Sequence, residues 1–331
     1  MPSTATILIT DHAWADTEVE RGIIEGAGYS LVSGAARTAG EVVSQVERSQ
    51  PQAILTCWAP VTADAISKSA GLLHVGRMGI GLDNIDVDAC TKLGVWVTNV
   101  PDYCIDEVSD HAIAFLLAWT RGLVPLDRQV RSGRWDPAGV SLKRLSALTV
   151  GLIGYGAIGR LTAGKLKGFG CRLVAHARRE RERGDDSVDF LTMEDLLAVS
   201  DAVILHLPLT ETTRHLMNAD RIGRMRQGSL LINVSRGAIV DTDALTAALR
   251  NGRIDAALDV IDGEPAIPPA LLGHSTSMFT PHIAFNSDTS VTELRRRAAE
   301  EAVRVLQGKA PEHPCNSPGP EVFKLLVAFV V

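Results

Sequence analysis

Short apolar runs alternate with helical patterns along most of the chain. The first series of runs lies at residues 7–9, 53–56, 73–75 and 95–97, with a helical pattern at 16–27. The second series lies at residues 148–150, 172–175, 202–205, 229–232 and 256–258. Strands that alternate with helices predict βα units around a parallel sheet. The two series therefore predict two α/β domains.

Two longer helical patterns fall outside these series. Residues 105–121 lie between them and present Ile113, Phe115, Leu116 and Leu117, a set that suits burial against another surface. Residues 288–306 form the other pattern, after the second series.

A glycine-rich turn follows the apolar run at residues 150–153. Gly154 permits a tight turn, Gly156 would let the backbone approach a pyrophosphate, and Gly159 would let a helix pack closely on the strand. The first helical turn then offers N–H groups and a partial positive charge to phosphates. The alternative is a structural turn, but the strand before it and the helix after it favour a dinucleotide site.

The composition favours a soluble, globular protein. A chain of 331 residues with 46% hydrophobic residues can bury the cores of two domains. The net charge of −6 and the absence of a long basic run argue against nucleic acid or an anionic membrane as the main partner. No apolar span reaches about 18 residues, and the N-terminus lacks a leader pattern, so we expect a cytoplasmic protein.

The cysteines and the C-terminus carry no obvious chemistry. Five scattered cysteines without a C-x-x-C spacing indicate neither a disulfide framework nor a zinc site, so we expect reduced, mostly buried thiols. Residues 314–320 are typical of a loop, and the apolar segment 323–331 is too short to span a bilayer. We expect that segment to pack on the N-terminal part of the chain or on a partner subunit.

Polar residues at the ends of predicted strands suggest chemistry. Three segments after the glycine turn, residues 233–237, 258–265 and 280–284, carry Arg236, Asp259, Glu264 and His282 in an otherwise apolar setting. Singly, Arg236 could be a surface ion pair, Glu264 a solvated acid and His282 a buried structural histidine. Because ligands of open α/β sheets bind beyond the carboxyl ends of the strands, these residues could converge on one crevice. Together they predict a hydride-transfer site.

These motifs, in this order, resemble the D-isomer-specific 2-hydroxyacid dehydrogenase family. The resemblance rests on residues 154–159, 206–210, 233–237 with Asp241, 258–265 and 280–282, and residues 79–86 resemble the family's substrate loop. It covers about residues 5 to 312. Residues 99–111 with 282–285 are most similar to the branch that includes the C-terminal-binding-protein corepressors.

The resemblance implies an α/β fold of two doubly wound parallel-sheet domains. A Rossmann dinucleotide-binding domain, residues 105–289, would be inserted into a flavodoxin-like substrate domain, residues 1–104 and 290–331. The crossings near Pro101 and Phe285 would act as hinges. The helix from Ile105 and its neighbourhood, including Trp135, would pack a homodimer.

The resemblance also implies the catalytic roles. His282 would protonate the ketone oxygen of a 2-oxo acid as hydride arrives, and would act as the base in the reverse reaction. Glu264 would favour the protonated form of that ring and fix its orientation. Arg236 would hold the 2-oxo acid through its planar guanidinium. No metal is needed for this chemistry.

The remaining implied contacts concern ligand binding. Backbone N–H groups at Ile80 and Gly81 would hold the substrate carboxylate, and Asp259 the nicotinamide carboxamide. Arg77 could add a second cation for a diacid or phosphonate substrate, although a structural salt bridge is the competing interpretation. The predicted cofactor-binding residues are Gly154, Gly156, Ala157, Ile158, Gly159, Arg178, Arg179, His206, Pro208, Thr210, Val234, Ser235 and Asp259.

The residues after the second strand of the dinucleotide domain bear on cofactor choice. NAD-dependent members carry an acid there that binds the ribose 2′-OH. This chain has Ala177 at that position, followed by Arg178 and Arg179, which can bind a 2′-phosphate. We therefore expect NADP to be preferred over NAD, although the arginines could also belong to a solvated charge run.

Other activities in the family fit less well. Phosphite dehydrogenases usually carry a lysine where this chain has Ile80, and formate dehydrogenases pair the histidine with glutamine instead of an acid such as Glu264. A cofactor-sensing protein with little turnover, like the corepressors, is the alternative from another class. Turnover with 2-oxo acids would separate an enzyme from such a sensor.

Overall fold

A computed structural model describes residues 5–138, 140–178, 187–274 and 276–319. The chain divides into two compact units: the described residues of Met1–Tyr103 with Ser287–Val331, and those of Cys104–Asn286. The boundaries predicted from the sequence differ from these by one and three residues. The apolar C-terminal segment 323–331 and Arg179 lie outside the described residues.

The first unit is built on a five-stranded parallel sheet. Its strands are β1 (Thr6–Ile9), β2 (Ser30–Ser33), β3 (Ala53–Thr56), β4 (His74–Arg77) and β5 (Trp96–Thr98). Their order is β2-β1-β3-β4-β5, the flavodoxin-like order predicted for this part of the chain. The helices are α1 (Glu18–Gly26), α2 (Ala39–Ser49), α3 (Ala63–Ser67), α4 (Val87–Lys92) and α12 (Asp288–Leu306).

Helix α12 returns the chain to this unit and packs on β3, β4 and α1. Its inward face carries Arg295, which donates to both carboxylate oxygens of the buried Glu20 at 3.0 and 2.8 Å. Beyond the helix, the side chain of Asn316 accepts a hydrogen bond from Val97 N and donates one to Val95 O. The segment after α12 thus covers the open edge of β5, which would otherwise expose unpaired backbone groups.

The second unit is built on a seven-stranded parallel sheet. Its strands are β6 (Thr149–Ile153), β7 (Arg172–His176), β8 (Asp189–Phe190), β9 (Ala202–Leu205), β10 (Ser229–Asn233), β11 (Ile254–Leu258) and β12 (Met278–Phe279). Their order is β8-β7-β6-β9-β10-β11-β12, the Rossmann order. The helices are α5 (Ile105–Thr120), α6 (Leu123–Arg131), α7 (Ala157–Lys167), α8 (Met193–Val199), α9 (Ala219–Arg224), α10 (Thr242–Arg250) and α11 (Pro269–Leu272).

These two sheets confirm the predicted fold class. The strands that the apolar runs predicted are fully buried at their centres, as in β3, β9 and β10. Three strands had no matching run: β2 is a mostly exposed edge strand, and β8 and β12 have two residues each. In each sheet the strand order reverses once, between β1 and β3 and between β6 and β9, and such reversals are where α/β sheets bind ligands.

Other expectations from composition can be compared with the described residues. No helix among them is long and apolar enough to cross a membrane. No cluster of acidic, histidine or cysteine side chains in the described ranges could hold a metal ion. All five cysteines are free, and Cys57, Cys90, Cys104 and Cys171 are buried, as expected.

Candidate active site

The glycine turn lies where β6 ends and α7 begins. Gly154 has φ +97°, and a Cβ there would lie 2.1 Å from His206 O. A Cβ at Gly159 would lie 2.4 Å from Gly154 O, so neither position can carry a side chain. A Cβ at Gly156, in contrast, would meet no atom within 4 Å.

Gly156 is the N-cap of α7, and no side chain caps that helix end. The N–H groups of the first turn, including those of Ala157 and Ile158, have no earlier helical carbonyl to bond to. An open glycine at an uncapped helix N-terminus fits the pyrophosphate of a dinucleotide, which needs both backbone approach and N–H donors.

His206, the residue directly after β9, lies next to this turn. Its Nε2 lies 3.0 Å from Thr162 Oγ1, whose own proton goes to Ile158 O at 2.9 Å. Because that hydroxyl proton is already donated, His206 Nε2 must be the donor. Burial lowers the pKa of His206 to about 4, so the ring is neutral at physiological pH and adds no charge beside the turn.

Ser235 ties the ends of β9 and β10 together. Its hydroxyl donates to Leu205 O at 2.6 Å and accepts from Leu207 N at 3.2 Å. Both directions of the hydroxyl are therefore used within the protein. Val234 beside it is buried, whereas Pro208 and Thr210 on the loop after β9 are exposed.

The residues after β7 show what a bound ribose would meet. Ala177 is buried and Arg178 is exposed, directly after the last residue of the strand, His176. The described residues at this strand end contain no carboxylate. Arg179, the other predicted contact, lies outside the described residues.

His282 and Glu264 form a direct pair in the same unit. The distance between His282 Nδ1 and Glu264 Oε1 is 2.5 Å, and the two side chains are 24% and 36% exposed. A carboxylate can only accept, so Nδ1 carries a proton and donates it to Glu264. The Nδ1 proton and the ring orientation are thus set by the carboxylate of Glu264.

Asp259 holds the backbone around His282. One carboxylate oxygen accepts from Ile283 N at 2.9 Å, and the other accepts from Ala284 N at 2.9 Å. The backbone oxygen of Asp259 accepts from His282 N at 2.8 Å. The side chain of Asp259 is 1% exposed. Its hydrogen bonds fix the loop that carries the histidine.

Arg236 is held by a neighbour that the sequence did not single out. The fully buried side-chain amide of Asn233 donates to Arg236 O at 2.8 Å and accepts from Ser235 N at 3.0 Å. Arg236 itself donates from Nη1 to Ser235 O at 2.8 Å. Asn233 stood in a sequence motif, but only the structure shows that it fixes the backbone of the arginine.

Gly237 brings the arginine turn against the loop of Glu264. A Cβ at Gly237 would lie 1.9 Å from the backbone carbon of Ile261, three residues before Glu264. The two backbones can pack this closely only because Gly237 has no side chain. The structure therefore brings Arg236, Asp259, Glu264 and His282 to one edge of the seven-stranded sheet.

The predicted substrate loop belongs to the first unit. Arg77 ends β4, is 7% exposed, and donates from Nη1 to Met78 O. It forms no ion pair within the described residues, so the expected structural salt bridge is not found, and its Nε lacks a hydrogen-bond partner there. A Cβ at Gly79, which has φ +151°, would lie 2.5 Å from Arg77 Nη1. The guanidinium thus lies beneath the loop, directly before Ile80 and Gly81.

The chain is similar to known proteins over most of its length. The family model described as D-isomer-specific 2-hydroxyacid dehydrogenase, NAD-binding domain, matches residues 113–284. A glyoxylate reductase of Pyrococcus horikoshii is 38% identical over 275 residues, which covers 80% of this chain and 81% of the relative.

Solved structures agree with the sequence comparison. A protein of Thermus thermophilus superposes with a TM-score of 0.86 at 31% identity, covering 94% of this chain and all of the other. An NADPH-dependent glyoxylate/hydroxypyruvate reductase of Sinorhizobium meliloti, in complex with NADP and malonate, gives a TM-score of 0.83 at 29% identity, covering 94% and 97%.

Two of these three relatives are named as reductases, and none of the three supports the corepressor-like alternative. The similarity to the corepressor branch stays a prediction. The glycine turn, the histidine–glutamate pair and the arginine at one edge of a Rossmann sheet agree with the family match. The chain belongs to the D-isomer-specific 2-hydroxyacid dehydrogenase family, and it is an NAD(P)-dependent enzyme that transfers hydride between 2-oxo and D-2-hydroxy acids.

Proposed function

We propose that this protein reduces a small 2-oxo acid of the glyoxylate class, with NADPH as the preferred cofactor and His282, Glu264 and Arg236 as the catalytic residues. The observation that carries the proposal is the 2.5 Å pair of His282 Nδ1 and Glu264 Oε1. It fixes the ring so that Nε2 is the nitrogen that exchanges the proton.

His282 supplies the proton of the reaction. When bound, the reduced cofactor supplies the hydride that adds to the carbonyl carbon of the 2-oxo acid. The proton from His282 Nε2 goes to the carbonyl oxygen, so the product is the 2-hydroxy acid. Glu264 keeps the Nδ1 proton in place and stabilises the positive charge of the ring before the transfer.

Arg236 holds and polarises the substrate. Its guanidinium can donate two parallel hydrogen bonds, a geometry that matches a carboxylate or a 2-oxo acid better than a lysine would. Asn233 and Gly237 fix the backbone on either side of it. Asp259 remains our candidate for the nicotinamide carboxamide.

Glyoxylate and hydroxypyruvate are the first substrates to test, because the related enzymes named above act on them. The backbone N–H groups of Ile80 and Gly81 are our candidates for the substrate carboxylate. Arg77 lies beneath that loop without an ion pair in the described chain, so a second substrate anion could use its charge. Arg77→Met should then lower kcat/KM more for a 2-oxo diacid than for glyoxylate.

Substitution of the catalytic residues tests the proposal. His282→Ala and Arg236→Ala should each lower kcat/KM with a 2-oxo acid by about a hundredfold or more, the usual contribution of a positioned acid or charge. Cofactor affinity, followed by fluorescence titration, should change little. Turnover close to that of the wild type in either variant would remove that residue from the mechanism.

NADP preference rests on the end of β7. A carboxylate there would accept from the ribose 2′-OH and repel a 2′-phosphate, but Ala177 stands in its place. The exposed Arg178 follows and can donate charge-assisted hydrogen bonds to the phosphate. Both substitutions favour the phosphorylated cofactor.

Steady-state kinetics with both cofactors tests this preference. The wild type should show the higher kcat/KM with NADPH, and Arg178→Ala should lose activity with NADPH selectively. Arg172→Ala is a matched control, since Arg172 is exposed at the opposite end of β7 and pairs with Asp189 at 2.9 Å. A comparable or higher kcat/KM with NADH in the wild type, or no selective loss with NADPH in Arg178→Ala, would overturn the predicted preference.

We also propose a homodimer that uses the surface of α6 and the segment after it. Helix α6 buries none of its residues, and Leu123, Val130 and Trp135 are 56%, 47% and 85% exposed. Such a group of apolar side chains is typical of an interface. Sedimentation should give twice the chain mass, and Trp135→Asp should shift it toward the monomer. The cytoplasmic location expected from the sequence stays a prediction.

A further inference from the structure

A chain of hydrogen bonds reaches from helix α5 to the loop of His282. His111 Nε2 lies 2.9 Å from Thr280 Oγ1, and Thr280 Oγ1 lies 2.6 Å from one carboxylate oxygen of Asp259. That carboxylate also accepts the N–H groups of Ile283 and Ala284, which directly follow His282. The chain therefore ends on the backbone that carries the histidine.

The direction of each bond follows from counting protons. A hydroxyl has one proton, and Thr280 donates it to the carboxylate, which can only accept. His111 Nε2 must therefore be the donor to Thr280. Burial lowers the pKa of His111, so the ring is neutral, with its single proton on Nε2. The ring is held edge-on against Phe115, with 4.7 Å between the ring centres.

The backbone of His282 needs such support. Its φ is +52°, a left-handed conformation that a residue with a Cβ rarely adopts. Conformations of this kind persist only where the surroundings fix them from several sides. His282 N donates to Asp259 O at 2.8 Å and lies 3.1 Å from Thr280 O. Asp259 and Thr280 therefore also hold the backbone of His282 directly.

We propose that Thr280 and His111 are positioning residues for proton transfer: they orient the Asp259 carboxylate, and through it the backbone and ring of His282. Neither residue touches the substrate. The inference rests on the proposed role of His282 as the acid. A threonine and a histidine outside the catalytic set thereby determine the rate of the chemical step.

The helix that carries His111 is itself held in place by contacts with other elements of the unit. Helix α5 packs against β10 and α7, and Lys165 of α7 bonds to Asp110 at 2.6 Å and to Ser109 at 2.8 Å. Anchoring the loop to a buried helix instead of a flexible neighbour should narrow the range of ring orientations. Misplacement of a reacting group by about 1 Å can cost on the order of a hundredfold in rate.

Variants at Thr280 test the proposal. Thr280→Val keeps the shape but removes the hydroxyl, and Thr280→Ser keeps the hydroxyl. We expect Thr280→Val to lower the single-turnover rate of glyoxylate reduction, measured at saturating cofactor, about tenfold or more. Thr280→Ser should stay within about threefold. The melting temperature of each variant is measured first, and rates are compared well below it.

Variants at His111 provide an independent arm, which also decides the matter if Thr280→Val does not fold. His111→Gln keeps a donor near the position of Nε2, whereas His111→Leu removes it. The rate should fall several-fold more in His111→Leu than in His111→Gln. The double variant His111→Leu, Thr280→Val should be no slower than Thr280→Val alone, because both changes break one chain.

A purely structural role gives a different pattern. Thr280→Val and His111→Leu would then lower the melting temperature but leave the single-turnover rate of the folded protein at the wild-type value, which would overturn the proposal. His282→Ala in the same assay separates the two levels. If it keeps full turnover, the proposed acid is wrong; if it loses turnover while Thr280→Val does not, only the positioning role is wrong.

Discussion

Both sheets are parallel and reverse their strand order once, but the side chains and backbone groups beside that reversal differ in chemistry. In the seven-stranded sheet, the strand order reverses beside a glycine turn and an uncapped helix N-terminus, where Gly156 faces open space. In the five-stranded sheet, the reversal lies between β1 and β3, and the residue after β1 is followed by an acid, Asp11. At the edge of the seven-stranded sheet, backbone N–H groups are available to a ligand, and we call this the open edge. At the edge of the five-stranded sheet, the Asp11 carboxylate accepts the backbone N–H groups, and we call this the closed edge.

Asp11 closes the edge of the five-stranded sheet. Asp11 is 7% exposed, and its carboxylate accepts from Cys57 N at 3.0 Å and from Trp58 N at 2.8 Å, the first backbone donors after β3. The hydroxyl of Thr10 adds a third bond at 2.8 Å. These donors would otherwise suit a phosphate. A doubly wound sheet therefore has a potential ligand site where its strand order reverses. The side chains at that point determine whether an anion can bind there.

The largest expected effect is on cofactor binding, from the substitution Gly156→Ala at the open edge of the seven-stranded sheet. Gly156→Ala places a Cβ where no protein atom lies within 4 Å, so the free energy of unfolding should stay near wild type. Cofactor Kd should rise by about a hundredfold, because the backbone can no longer approach the pyrophosphate closely. Fluorescence titration with NADPH and NADH measures this.

A glycine on the same helix provides the control for that substitution. Gly164 of α7 is exposed and also has open space around its Cβ position. Gly164→Ala should stabilise the helix by up to about 1 kcal/mol and leave cofactor Kd unchanged. Equal Kd values in the two variants would show that Gly156 does not face the cofactor.

A second prediction concerns the closed edge. Asp11→Asn replaces one acceptor oxygen with a donor, so at least one of the buried donors around it loses its partner. The free energy of unfolding should fall by about 2 kcal/mol, as measured by urea denaturation, while cofactor Kd stays at the wild-type value. Weaker cofactor binding without loss of stability would instead mean that this edge takes part in binding.

The smallest expected effect near neutral pH is on the free energy of unfolding. It concerns His74, the first residue of β4 in the five-stranded sheet. Burial lowers the pKa of His74 to about 3, and its Nε2 bonds to Thr98 Oγ1 at 2.8 Å. The folded state therefore keeps this ring neutral, while the unfolded state binds a proton below about pH 6.5. The stability that His74 contributes is complete above that pH and is lost as the pH falls toward 3.

The loss should amount to about 1.4 kcal/mol for each pH unit below 6.5. Urea denaturation at pH 7, 6 and 5 would measure it. His74→Gln, which can keep the bond to Thr98, should show a flatter dependence on pH than the wild type. His206 is neutral in the other sheet, with its pKa lowered to about 4, so the variant should retain part of the slope. An unchanged slope would mean that His74 does not contribute.

Much of the architecture and several candidate residues were accessible from sequence. Apolar runs predicted the central strands because a strand buried on both faces must be apolar throughout. The glycine turn was recognisable because each glycine meets a local backbone requirement, and Gly154 does adopt a positive φ. Arg236, Glu264 and His282 were found because they follow strands and match the motifs of a family.

The sequence by itself thus determined the strands, the dinucleotide turn and the identity of the polar residues at the sheet edge. Only the tertiary structure decided their partners. His111 and Thr280 are 169 residues apart, and Asp11 lies 46 residues from the amide of Cys57 that it binds. Periodicity and turn chemistry report on neighbours along the chain, whereas these hydrogen bonds exist because folding brings distant strand ends and a helix together.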